Sequence, residues 1–149
     1  MRKLFTAAAA TLLSLSAQAS DEKWIPGNSN FVSVHWGEPD SDNISFIAEC
    51  ARKGMVVVTL MIGDKSLTKT KVSGEPSLGE VKIGTDRFYL IGKWTKDEGG
   101  YFTVPLTPDS PFLKRLANDE RSTLKAGSLS IGLDKVSSSN FKRILKRCE

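Results

Sequence analysis

One histidine, His35, and two cysteines, Cys50 and Cys148, are the only imidazole and thiol side chains in the 149-residue sequence. That supply excludes a transition-metal centre built from several imidazoles or thiolates within one chain, and no His-Glu-x-x-His sequence is present. No serine stands in a Gly-x-Ser-x-Gly elbow, and His35 is the single imidazole available as a base, so serine-triad chemistry has no recognisable frame. Ser66 and Lys69 match a Ser-x-x-Lys spacing without the companion Lys-Thr-Gly sequence. A Walker lysine loop and a dinucleotide glycine signature are also missing, so nothing points to a nucleotide. Beyond the N-terminus no stretch approaches the roughly 20 apolar residues that a membrane-spanning helix needs. The longest later apolar run, 55–62, has the length of a strand.

The N-terminus is distinctive. Arg2 and Lys3 precede an apolar core from Leu4 to Leu15, and Ala17-Gln18-Ala19 is a small-x-small cleavage pattern. Residues 1–19 therefore read as a secretory signal peptide, and residues 20–149 as the exported part. No cysteine follows the cleavage pattern, so no lipid anchor is expected. The short apolar core fits a bacterial product that is periplasmic or secreted, and not transmembrane after cleavage. Removing residues 1–19 takes two cations and no acid from a chain of formal charge +4, leaving +2. That balance neither demands nor excludes an anionic partner. In an oxidising compartment two cysteines predict one disulfide, Cys50–Cys148. In the chain-entropy model, closing so long a loop stabilises the fold by about 4–5 kcal/mol.

Alternation and helical spacing give a coarse layout. Residues 20–30 read as a polar leader with a turn at Pro26-Gly27. A strand is expected over 31–36, with Val32, Val34 and Trp36 on one face and His35 on the other. Ile44, Phe46, Ala48 and Cys50 alternate inward, a hairpin loop follows at 51–54, and 55–62 reads as a central strand. A polar edge strand is expected at 68–73, a loop at 74–79 and a short strand at Val81 and Ile83. A second hairpin joins 88–94 to 101–106. Ser110-Pro111 starts a short helix carrying Phe112, Leu113, Leu116 and Ala117. A strand at 128–133 and a final helix capped by Ser139 complete the chain, with Phe141, Ile144, Leu145 and Cys148 on one face. The expected fold is mainly β (α+β), an antiparallel sheet or sandwich with two short helices, in a single domain over residues 20–149.

Candidate site residues fall into three groups. Glu38, Asp40 and Asp42 share an acidic loop. This arrangement serves as solvated charge, as a weak calcium site, or with Asp97 or Glu98 as a carboxylate pair for glycoside hydrolysis. Lys142, Arg143, Lys146 and Arg147 form a basic helix face. Helix-dipole complementarity explains them, as does contact with an acidic partner or an anionic lipid. Trp94, Lys96 and Tyr101 on the second hairpin make a recognition patch if that hairpin lies at the outside. No cofactor, metal site or catalytic residue is assigned, and export disfavours nucleic acid.

Cys50, Val56 to Leu60, Trp94, Phe112-Leu113-x-x-Leu116 and Leu145-x-x-Cys148 together give a layout that resembles small bacterial periplasmic VasI/TagO-like accessory proteins associated with type VI secretion. The resemblance covers about three quarters of the exported part. It implies a non-enzymatic accessory or binding role and carries over no catalytic residue. The expected function is therefore non-enzymatic binding of another cell-envelope component, most simply a protein, with a glycan or an anionic lipid as further candidates. Three alternatives stand beside it: a peptidoglycan hydrolase, an inhibitor of a secreted hydrolase such as lysozyme, and a structural, self-associating envelope protein.

Overall fold

The computed structural model describes residues 22–27, 33–38, 44–62, 67–68, 75–96 and 100–149; the expected signal peptide lies outside this set. The elements in chain order are β1 (Lys23–Pro26), β2 (Ser33–Gly37), β3 (Ile44–Arg52), β4 (Met55–Met61), β5 (Leu67–Thr68), β6 (Pro76–Ile83), β7 (Asp86–Thr95), β8 (Tyr101–Leu106), α1 (Pro111–Asn118), β9 (Thr123–Ala126), β10 (Leu129–Gly132) and α2 (Lys135–Cys148). The two helices and the mainly antiparallel β architecture are those expected.

Alternation sets the inside and outside of the sheet. Val56, Val58 and Leu60 of β4 are fully buried, while Met55, Val57, Thr59 and Met61 between them stay partly exposed. Neighbouring strands repeat this two-residue period, so one sheet face collects the core. Nine strands run in the order β1-β2-β3-β4-β8-β7-β6-β9-β10, and β5 pairs with β6 off this path. Every pairing is antiparallel. The sheet curls into a half-barrel, and its two ends meet where Trp24 Nε1 of β1 donates to the Gly132 carbonyl of β10 at 2.9 Å.

The helices fill the concave side. α2 lies on β1 to β4, and α1 packs on α2. Trp24, Phe46 and Phe141 meet edge to face with centroids 5.5–5.9 Å apart, and Trp36 joins Trp24 at 5.3 Å. Phe88 and Phe112 extend the same kind of packing under α1 at 5.4 Å. Such pairs add roughly 0.5–1.5 kcal/mol beyond area burial. Cys50 and Cys148 form the expected disulfide, with Cα atoms 5.6 Å apart and a sequence separation of 98. The tip of the β3–β4 hairpin closes on the end of α2, where Gly54 N–H donates to the Cys148 carbonyl at 2.6 Å.

Four local expectations are corrected. The stretch read as a leader contains β1, and Trp24 is buried because its indole covers Phe46 and Phe141. The loop expected at 74–79 contains the first half of β6. Gly79 is there for space, since a Cβ at that position would come within 2.5 Å of the Phe102 ring. The strand expected at 128–133 is the second arm of a hairpin whose turn uses Gly127 at φ 61°. The cap of α2 is Asp134, not Ser139. Its carboxylate accepts from Ser137 N–H at 2.7 Å, and Ser137 Oγ accepts from Asp134 N–H at 2.9 Å, a reciprocal capping box. The helix is a turn longer than its apolar spacing shows. Its first turn is built from serines, and Ser138 Oγ is buried donating to the Ala117 carbonyl at 2.7 Å.

Candidate functional site

The predicted recognition patch is not assembled. β7 and β8 stand in the middle of the sheet, not at its outside. Trp94 opposes Phe102 in register and is 3% exposed, whereas Tyr101 opposes Thr95 on the other side of the pleat. The Trp94 side chain is a core group and presents no contact surface. Lys96 is exposed and Tyr101 half-buried beside it. Of the acidic loop, Glu38 is half-buried, while Asp40, Asp42, Asp97 and Glu98 lie outside the described residues. Among the described residues no three His, Cys, Asp or Glu side chains stand close enough to hold a metal ion. No helix among them is long and apolar enough to cross a membrane.

The basic face is placed as its spacing predicts. Lys142, Arg143, Lys146 and Arg147 all point to solvent, opposite the buried Phe141, Ile144 and Cys148.

The surface that sequence reading missed lies on the convex side of β6 to β8. Among the described residues, four large apolar side chains are exposed: Leu78 at 43%, Tyr89 at 61%, Ile91 at 70% and Val136 at 50%. Three of the four come from β6 and β7, and Leu78 and Ile91 are direct cross-strand partners. Beside them a shallow depression of about 530 Å³ is lined by Val57, Pro76, Ile91, Thr103 and Pro105. β7 carries apolar residues on both faces, with Phe88, Leu90 and Trp94 inward and Tyr89 and Ile91 outward. Its period was readable, but a strand apolar on both sides does not declare which side is solvent.

Two charged clusters shape the electrostatics around this sheet. On β6, Glu80 pairs with Lys82 at 3.0 Å, and the hydrogen bond from Lys82 is the main cause that holds its carboxyl below the ordinary value. At the end of α1, Asp119 is 5% exposed. Burial works to raise its carboxyl. The Arg121 and Ser122 N–H groups at 2.9 and 2.8 Å, with Arg115 at 2.7 Å, outweigh that and hold it below the usual range. Arg115 also binds Asp86 at 2.8 Å, so the carboxylate links α1, β7 and the start of β9.

A pH dependence follows. A carboxyl depressed on folding contributes stability above its unfolded value of about 3.9 and loses it as pH falls through the lower folded value. Asp119→Ala is expected to cost about 1–3 kcal/mol at neutral pH, because two N–H groups lose their acceptor. In urea titrations the variant should also lack the part of the acid destabilisation below about pH 4 that Asp119 contributes. A variant with the parent's slope there would refute the assignment.

No protein-family model matches the chain, and neither does any curated protein or solved structure.

Proposed function

We propose that this chain is a non-enzymatic, periplasmic or secreted accessory protein that binds another protein of the cell envelope through the convex face of β6 to β8. The observation that carries this reading is the convergence of Leu78, Tyr89 and Ile91 on that face. Apolar side chains of this size are rarely left together on a free surface. Lys93, Thr95 and Glu80 border them on the same side of the sheet, and an apolar centre with a polar border is the composition of a protein contact. The face is open and shallow, whereas small-molecule sites are enclosed. The disulfide fits an oxidising compartment. The resemblance to VasI/TagO-like accessory proteins points the same way and rests on sequence motifs alone.

The test is affinity capture from envelope extract with oxidised residues 20–149, followed by reconstitution of the identified protein in purified form. Tyr89→Ser with Ile91→Lys is expected to weaken a stoichiometric complex more than about tenfold, as truncating central aromatic and aliphatic anchors does. Its circular dichroism should match the parent. A complex untouched by this variant would overturn the assignment of the face. A protein that dimerises through the face, measured by light scattering, would replace the accessory reading with self-association.

A further inference from the structure

A second surface, on the opposite side of the sheet from the apolar face, has a different chemistry. The outward side of α2 presents Lys135, Lys142, Arg143, Lys146 and Arg147. The disulfide and the Gly54–Cys148 hydrogen bond bring the β3–β4 hairpin tip to the end of this helix, and the tip adds the exposed Arg52 and Lys53. Seven cations from two distant segments are thereby brought near one another, five along α2 and two beside its C-terminal end.

None of the seven forms an ion pair among the described residues, whereas Lys82, Arg87 and Arg115 elsewhere do. The only acids on α2 and its flanks are Asp134 and Glu149, which cap its two ends. Among the described residues outside α2, its caps and the hairpin tip, cations and acids are equal in number, so the excess positive charge is concentrated here. Helix-dipole complementarity accounts for Lys146 and Arg147 in the last turn. It does not account for Lys135 in the first turn, nor for Arg52 and Lys53 on another element.

We infer that α2 and the β3–β4 hairpin tip form a docking surface for the phosphate headgroups of an anionic lipid bilayer. The cationic side of α2 spans residues 135–147, about 18 Å at the helical rise, and it is convex. A ridge of that shape meets a planar array of phosphates along its whole length. Nucleic-acid strands are held in grooves with aromatic platforms, and no aromatic side chain faces outward on α2. The one large apolar residue exposed there is Val136. Attachment is therefore electrostatic, reversible and sensitive to salt, without insertion into the acyl region. A protein held this way turns the convex face of β6 to β8 away from the membrane. The inference stands independently of the partner proposed for that face.

Cosedimentation with vesicles tests it. Oxidised residues 20–149 should sediment with phosphatidylcholine vesicles containing about 30% phosphatidylglycerol, but not with phosphatidylcholine alone. About 0.5 M salt should release the protein. Each cation near an anionic surface contributes on the order of fivefold in affinity. Lys142→Glu, Arg143→Glu, Lys146→Glu and Arg147→Glu together should therefore reduce binding more than about a hundredfold. Arg52→Glu with Lys53→Glu should reduce it more than about tenfold. A control with the same charge change, Arg121→Glu with Lys125→Glu, should alter it less than about threefold, since both residues lie on or before β9. The hairpin and control variants keep the test decisive if the fourfold variant fails to fold. Equal losses in these two would show that only net charge matters and overturn the site. Binding to soluble heparin with none to anionic vesicles would overturn the lipid assignment.

Discussion

Replacing Cys50 and Cys148 together with alanine is expected to lower the unfolding free energy of residues 20–149 by about 2–5 kcal/mol, read from urea titrations of the oxidised parent and the variant. The bridge joins residues 98 apart, so most of the described β-sheet and both helices lie inside the loop it closes. Releasing it gives that whole stretch its freedom back in the unfolded chain. In the folded state less changes. α2 stays anchored by Phe141 and Ile144, both fully buried, and by the Ser138 bond to Ala117. Far-ultraviolet circular dichroism of the variant should therefore match the parent while its midpoint falls. An unchanged midpoint would mean that the bridge contributes nothing beyond the packing already around it.

Trp94→Ala should cost about 3–5 kcal/mol, the usual penalty for emptying a large aromatic from a core. The indole is 3% exposed and packs among inward side chains of the central strands. Its Nε1 has no acceptor among the described residues. Trp94→Phe therefore sacrifices volume without a hydrogen bond and should cost less than half as much. Tyr89→Ala, five residues earlier on the same strand and on the convex face, should stay within about 0.5 kcal/mol of the parent. The contrast separates a core aromatic from a surface aromatic on one strand. If Trp94→Ala leaves stability unchanged, the indole does not belong to the core. A partner lost with Trp94→Ala would report unfolding, whereas loss with the Tyr89 and Ile91 variants would report contact.

The sheet was legible wherever one face is polar. Ile44 to Cys50 alternates cleanly, and the structure buries Phe46 and Ala48 as that pattern requires. The apolar face of α2 and its outward cations followed from spacing alone, and the disulfide from compartment and count. Elsewhere local sequence was silent or misleading. β1 has four residues, too few to show a period. Gly79 imitates a turn residue while its true constraint, the Phe102 ring, lies on another strand. Ser139 imitates a helix cap, although Asp134 begins the helix and the serines between them pack against α1 or close the cap. Both candidate surfaces depend on tertiary placement. The convex apolar face needed the inward side of β7 to be known, and the cationic side needed the hairpin tip brought to the helix end.

Trp24 donates to Gly132 across 108 residues. The strands at the two ends of the sheet therefore meet only after nearly all of the intervening chain is in place. Phe141, which completes the Trp24–Phe46 cluster, arrives later still. Contacts of such long sequence separation slow folding. As the chain emerges from its N-terminus, Trp24 and Phe46 stay uncovered until the last helix is delivered. Closure of the aromatic cluster is thus a C-terminal event, since it waits on Phe141 of α2.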